Sequence, residues 1–324
     1  MDAALLAPEF IDADKAREVL EAERWPEGPV CPHCGLIGEA YKLEPKEGAK
    51  THARKGVWKC AGCREQFTVT VGTIFEDSHI PLNKWLMAIH LLCSSKKGMS
   101  AHQLHRMLGV TYRSAWFMAH RIRFGMSQEP LSSKLEKLQG TVEVDETYIG
   151  GKEPGMRGVP YGRKESKKAT VISMVERSLV PGKPGRVRSR VMPRVTSDNL
   201  RWTLRDGIAQ DATLNTDESS LYSGIGQWWS GHETVNHSKK EYSRRNPDGQ
   251  KVTTNTVEGF FGTLKRGING VYHHVGRHHL HRYLSEFDFR YNSRDVSDTE
   301  RAKLALQGVN GKRLKYRDSF GKGA

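Results

Sequence analysis

Two kinds of residue in this chain have types and spacings suited to chemistry. The first is cysteine. Cys31-Pro-His-Cys34 and Cys60-Ala-Gly-Cys63 are Cys-x2-Cys pairs with 25 residues between them. Two such knuckles brought together present four thiolates at tetrahedral positions, the donor set of a closed structural Zn2+ site. Pro32, Gly35 and Gly62 suit the tight turns of a knuckle. A redox dithiol needs only one of the pairs, and an iron–sulfur centre would take the same thiolates, so zinc is the expectation and these are its rivals. Cys93 lies in an apolar stretch and reads as core. His33 and His52 read as solvated or nucleic-acid-facing, since four cysteines already complete the shell.

The second kind is carboxylate. Asp145 sits inside the strand-like run VEVDETY, where an unpartnered aspartate is costly to bury and is depleted. Asp217 ends LNTDE, where a turn residue or a helix cap would explain it equally well. Glu258 opens NTVEGFFGTLKRGI, and Asn255-x-x-Glu258 is also an acceptable capping box. Lys265 follows Glu258 by two helical turns, so the two emerge on nearly the same side, about 10 Å apart along the axis. Neighbouring Glu143, Glu146 and Glu218 keep charge alone from deciding the assignment. Three hard carboxylates suit a pair of Mg2+ ions about 3.5–4 Å apart, one activating a water or hydroxyl and the other stabilising the leaving oxygen.

The surrounding sequence supplies elements to hold these groups. Residues 12–24 read as a short amphipathic helix leading into a β-rich zinc ribbon over 28–78, within which FTVTVGTIF alternates as a strand. Such a small module cannot bury enough apolar surface alone, so metal binding supplies much of its folding free energy. A helix over about 82–95 follows Pro81. AHQLHRMLG then forms a short helix with Leu104, Met107 and Leu108 on one side, closed by Gly109. In YRSAWFMAHRIR, Ala115, Ala119 and Ile122 recur at helical spacing, so the pair fits a helix-turn-helix whose second helix offers Arg113, His120, Arg121 or Arg123 to DNA. An ordinary helical hairpin is the plain alternative. Strands over 141–150, 169–176 and 186–195, a helix from Ser197 or Asp198 to about 210, a strand over 212–217 and a mostly helical final third describe one α/β domain. The expected division is a lead-in (1–27), zinc ribbon (28–78), helix-turn-helix-like segment (79–126), α/β domain (140–295) and a basic, Gly-rich C-terminal tail (296–324). Trp228 and Trp229 read as core or as wedges against an unpaired base, and the His273–His281 run as solvent- or DNA-facing.

Composition narrows the class. Lys and Arg number 51 against 37 for Asp and Glu, a net charge of +14, which points to a polyanionic partner, nucleic acid before membrane. Five cysteines are too few for a disulfide scaffold. The first residues lack a signal peptide's basic and apolar regions, and no apolar run approaches the roughly 18–20 residues of a membrane span, so a cytoplasmic protein is expected. A carboxylate cluster, a zinc module, a helix-turn-helix and this charge together favour phosphodiester cleavage or transfer.

The segments CPHCG, WKCAGCREQFTVTVGTIFEDSHIPLNKW, VEVDETYIGGKE, TDESSLY and NTVEGFFGTLKRGI resemble insertion-sequence transposases of the IS1595 family, which carry an N-terminal zinc ribbon and an ISXO2-like catalytic domain. The resemblance spans about residues 25–295 and implies a ribonuclease-H-like mixed sheet flanked by helices, with an Asp-Asp-Glu triad. Carried over by motif, the triad is Asp145, Asp217 and Glu258, with Lys265 as the basic residue that follows; some relatives have Asn in third place, which would be Asn255. The implied roles are Asp145 as a ligand shared by two Mg2+ ions (Mn2+ as a substitute in vitro), Asp217 and Glu258 each completing one, and Lys265 on a phosphate. Lys152, Arg157, Arg163, Lys164, Lys167, Lys168, Arg186, Arg188 and Arg190 are expected on the DNA backbone. The implied partners are double-stranded DNA, both terminal inverted repeats and target, and further copies of the chain in a synaptic homo-oligomer associated with the nucleoid. A nuclease of the same fold, or a non-enzymatic zinc-ribbon DNA-binding regulator, is the alternative.

Overall fold

Asp12 starts the first long helix by accepting the N–H groups of Asp14 and Lys15 on one carboxylate oxygen. The computed structural model describes residues 6–44, 55–127, 136–151, 168–178 and 185–317. In it a short α1 (Pro8–Ile11) runs into α2 (Ala13–Arg24). A three-stranded antiparallel sheet follows, with β2 (Val57–Cys60) between β1 (Ala40–Lys42) and β3 (Gln66–Thr68). FTVTVGTIF therefore contributes only its first residues to a strand. β2 is exhausted once Val57 pairs with Thr68, and the chain beyond turns on itself, with Thr70 accepting from Thr73 and Glu76 accepting the N–H of Gly72.

α3 (Leu82–Ser94) buries Trp85, Leu86, Ile89, Leu92 and Cys93. α4 (Ala101–Leu108) is capped by Ser100 and ends at Gly109, whose φ of 59° is the left-handed conformation that a side chain disfavours. Thr111 then accepts the N–H of Ser114 to open α5 (Tyr112–Met126). Leu104 and Leu108 of α4 are buried, as are Ala115, Met118, Ala119 and Ile122 of α5, whereas Met107 is exposed.

The second half is built on a five-stranded sheet of β4 (Thr141–Ile149), β5 (Ala169–Glu176), β6 (Val187–Met192), β7 (Thr213–Thr216) and β8 (Gly231–Thr234), in the order β6-β5-β4-β7-β8. The first three form an antiparallel meander, and β7 and β8 run parallel to β4. α6 (Ser197–Gly207) links β6 to β7 and is capped by Thr196, the residue before Ser197 and not Ser197 or Asp198. A small hairpin, β9 (Ser243–Arg245) and β10 (Lys251–Thr253), leads into α7 (Asn255–Gly267) and α8 (Leu280–Asn292). Alternate strand residues leave opposite faces. Val142, Val144, Met174 and Leu214 pack with Leu200 and Leu204 of α6, while Val171, Val175 and Val187 pack with Val257, Phe261 and Leu264 of α7 and Phe287 of α8. This is a ribonuclease-H-like mixed sheet with helices on both faces, preceded by the cysteine-bearing β-ribbon.

The chain forms two compact units, Met1–Ser127 together with Val296–Ala324, and Gln128–Asp295. The expected C-terminal tail is thus corrected over its described part. Ser297 and Glu300 make a reciprocal capping box that opens α9 (Asp298–Gln307), and Arg301 donates to the carbonyl of Cys93. Lys312 is buried and donates to the carbonyls of Gly125 and Ser127 at the end of α5, where a helix C-terminus favours a cation. Residues 318–324 of that segment lie outside the described residues. Among the described residues no helix is long and apolar enough to cross a membrane.

Candidate active site and cysteine metal centre

The two cysteine pairs come together. All four sulfurs lie within 4.8 Å of one another, with Cys31–Cys63 and Cys34–Cys60 each 3.6 Å apart. Disulfide sulfurs would sit about 2 Å apart. Thiolates around a tetrahedral zinc with bonds of about 2.3 Å are separated by about 3.8 Å, so the spacing fits the ion. Burial opposes charge on Cys31, but the N–H groups of Cys34 and His33 aimed at it, with the Cys34 and Cys63 thiols, draw it down to about 6. Cys60 is fully buried and anchors the cluster in β2, while Cys93 is buried away from it in α3. The donor set is suited to a structural Zn2+.

The second centre lies in the mixed sheet. β4 and β7 are parallel, and Glu143 pairs with Asn215 at the end of their ladder, so Asp145 and Asp217 sit two residues farther along neighbouring strands. Glu258 stands in the first turn of α7, which packs on the face of β4 that carries Glu143 and Asp145. Each carboxylate is oriented by a local donor. The Glu146 N–H reaches Asp145 Oδ1 at 2.7 Å, the Ser219 N–H reaches Asp217 Oδ1 at 3.0 Å, and the Thr254 hydroxyl reaches Glu258 Oε1 at 3.0 Å. Burial, then repulsion from Asp217 and Glu258, pushes Asp145 up to about 6. Asp217 and Glu258 therefore act on Asp145 as near charges. The three are splayed rather than closed: among the described residues, only the four cysteines bring three or more candidate ligand atoms within 4.8 Å of one another.

Three like charges facing one another, Asp145 and Asp217 partly buried and Glu258 exposed, fit a hard dication better than they fit an ion-pair network. Glu146 adds to them from the opposite face of β4, where burial raises its carboxyl to about 7 beside Tyr222, and one of its oxygens has no hydrogen-bond partner. Lys265 lies on the exposed side of α7 in its last turn. Asn255, the alternative third ligand, opens the same helix and is also exposed.

Sequence reasoning missed two residues here. His237 Nε2 lies 3.7 Å from Glu258 Oε1 and 3.2 Å from Thr254 Oγ1. It is held by Glu218, whose carboxylate accepts from the Ser238 hydroxyl and from the N–H groups of His237 and Ser238 and is drawn down to about 2 by them. Nothing in the spacing of VNHSKK pointed to this. Glu143 is the other. Its carboxylate accepts the N–H groups of Thr256 and Val257, so it, and not Asn255 with Glu258, caps α7. Burial raises its carboxyl, while Thr256, Val257 and Arg177 pull it down. The period-two relation to Asp145 was the available signal.

Several expected DNA contacts face inward. His120, Arg121 and Arg123 are buried. Arg121 donates to the Glu76 carbonyl and lies over the rings of Trp85 and Phe117 at 5.5 and 5.3 Å, and burial lowers it to about 10. Arg113 is exposed at the start of α5, beside Tyr112 stacked 4.3 Å from His102. Arg186 forks onto Glu176, Arg188 donates to the Glu136 carbonyl, and Arg190 pairs with Asp206, so these three are engaged within the unit. Lys152, Arg157, Arg163, Lys164 and Lys167 lie outside the described residues. Trp229 joins the core, and Trp228 is partly exposed between Arg201 and Arg205.

Comparison with known proteins fits both centres. A family model described as a transposase zinc-ribbon domain matches residues 11–66, and one described as an ISXO2-like transposase domain matches residues 137–292. A protein of Halobacterium salinarum, described as an uncharacterized protein in transposable element ISH50, is 24% identical over 294 residues, or 87% of this chain and 91% of the relative. The chain belongs to the IS1595 family of transposases, with a zinc ribbon followed by an ISXO2-like DDE transposase domain.

Proposed function

We propose that this transposase cleaves the ends of its element and joins the freed 3′-hydroxyls to target DNA, using Asp145, Asp217 and Glu258 as its metal-binding carboxylates. The observation that carries this reading is the convergence on Asp145 of two carboxylates far from it in sequence: Asp217, just past the end of the neighbouring strand β7, and Glu258, in the first turn of the helix packed on β4, both raise the pKa of Asp145. Mg2+ held by these carboxylates, with Mn2+ as a substitute, supplies the charge that makes water or a 3′-hydroxyl nucleophilic and stabilises the leaving oxygen.

The chain's own residues do the remaining work. Donors from Glu146, Ser219 and Thr254 set the directions of the three carboxylates before DNA arrives. Lys265, two turns beyond Glu258 on α7, contacts a phosphate near the scissile bond. The zinc ribbon and the α4–α5 pair recognise the terminal repeats, with the exposed start of α5 toward the bases. Two element ends must be held together for joining, so the active form is a homo-oligomer.

The test is strand transfer with the element's own terminal DNA in Mg2+, comparing the parent with D145N, D217N and E258Q. Each variant should fold and bind DNA while losing both cleavage and joining. Parental activity in any of them removes that residue from the triad. Cleavage without joining in the parent would mark a nuclease, and specific binding without cleavage would mark a regulator.

A further inference from the structure

Glu143 precedes Asp145 by two residues on β4, so both side chains leave the same face of the strand. Its side chain is fully buried, and its hydrogen bonds go to the start of α7. Oε2 accepts the Thr256 N–H at 2.7 Å and the Val257 N–H at 3.1 Å, while Oε1 accepts the Thr256 hydroxyl at 2.8 Å. Arg177 Nε stands 3.5 Å from Oε1, and Arg177 is itself fixed by donating to the Lys251 carbonyl and by its N–H to the Thr141 carbonyl. The N–H groups that Glu143 takes are orphan donors of a helix N-terminus, and Thr254 at the cap position supplies no side-chain bond to them. Their partner comes from a strand 113 residues earlier in the chain.

A buried carboxylate is a poor way to gain stability, because its desolvation offsets much of what its bonds return. An apolar residue would serve a merely packed position as well. What the carboxylate provides is direction. Its two oxygens fix both the rotation and the height of the first turn of α7, and Glu258 projects from that turn.

We propose that Glu143 is a positioning residue that locks the first turn of α7 to β4 and so sets Glu258 across from Asp145. The role rests on the triad reading and adds to it a residue that touches neither metal nor DNA. It acts through geometry, so an uncharged side chain of the same shape should largely replace it. Glutamine fits: its oxygen accepts both N–H groups and its amide nitrogen donates to Thr256 Oγ1.

The experiment uses full-length E143A, E143Q and T256V beside D145N and E258Q. Single-turnover strand transfer at saturating DNA, DNA affinity, thermal unfolding and Mn2+ binding to the DNA-free protein are measured. E143A should lose about 10–100-fold in the rate of strand transfer and in Mn2+ affinity, with DNA affinity unchanged. E143Q should recover most of both, and T256V should lose less than E143A. If E143A does not fold, E143Q and T256V still decide the matter. A rate and Mn2+ affinity equal to the parent's in folded E143A, or in T256V should E143A not fold, would overturn the proposal. So would E143Q as inactive as D145N, which would make the charge itself the requirement. If D145N and E258Q transfer strands normally, the triad reading has failed instead, whatever the Glu143 variants do.

Discussion

One imidazole, that of His237, meets both the Glu258 carboxylate, 3.7 Å away, and the Thr254 hydroxyl that donates to it, 3.2 Å away. Glu218 holds the His237 backbone in place and directly follows Asp217, so two elements of the proposed triad share one local framework. We expect H237A to fold and bind DNA normally and to lose about 10–100-fold in single-turnover strand transfer, the usual cost of removing a partner that orients a ligand. H237Q, which still reaches Thr254, should lose less. Unchanged rates in both variants would reduce His237 to a surface neighbour.

The cysteine cluster makes a prediction about folding. Purified protein should contain about one zinc per chain, and C60S should lose it, because Cys60 anchors the cluster from the buried end of β2. Metal binding and folding are coupled in such modules. Chelation should therefore lower the melting temperature of the unit that contains the ribbon and leave that of the mixed-sheet unit in place. Folded, zinc-free protein with an intact ribbon would defeat this.

Asp288 predicts a pH dependence of stability. It is partly buried and accepts from the Ser189 N–H and hydroxyl, each at 2.7 Å, and burial pushes its pKa from 3.8 up to about 7. Below pH 3.8 both folded and unfolded chains hold this proton. Between that point and about pH 7 only the folded chain holds it, so the group's contribution to stability falls as pH rises. D288N keeps an acceptor for Ser189 and cannot ionise. It should melt higher than the parent at pH 8, by roughly 5 °C or more, and the difference should vanish toward pH 4. Parallel melting curves for the two proteins across this range would show that Asp288 does not titrate.

Much of the sheet was legible because each strand obeys one period. The expected strand over 169–176 matches β5, and 212–217 encloses β7. FTVTVGTIF also alternates, yet a strand needs a partner as well as a pattern, and β2 is too short to supply one. The basic C-terminal segment expected as a tail over 296–324 begins with a helix, and Ser297-Asp-Thr-Glu300 is a visible capping box for it. Of the candidate site, the three proposed carboxylates stand in motifs that the sequence displays. Glu143 and His237 were not, because their partners, Thr256 and Glu258, lie far away in the chain and only the folded backbone brings them close. Arg121 and Arg123 misled for a different reason. Surface is the usual place for arginine, but Arg121 has a free carbonyl and two aromatic rings within reach in the interior.

That burial separates two arginines of one helix and yields a test of how DNA is read. Arg113 is exposed at the first turn of α5, its guanidinium 4.4 Å from the Tyr316 ring and its Nε 2.8 Å from the Tyr316 hydroxyl. The N-terminal end of the second helix is where a helix-turn-helix meets bases and phosphates. R113A should therefore weaken binding to the element's terminal DNA and reduce the slope of log affinity against log salt by about one if the lost contact is to a phosphate. Its melting temperature should stay within a degree or two of the parent's. R121A should do the reverse. It strips the Glu76 carbonyl of its donor and uncovers Trp85 and Phe117, a loss of about 1–3 kcal/mol in stability. Its DNA affinity, measured well below the melting point, should match the parent's. If R121A loses DNA affinity while still folded and R113A keeps it, the DNA-reading surface lies elsewhere than the exposed start of α5.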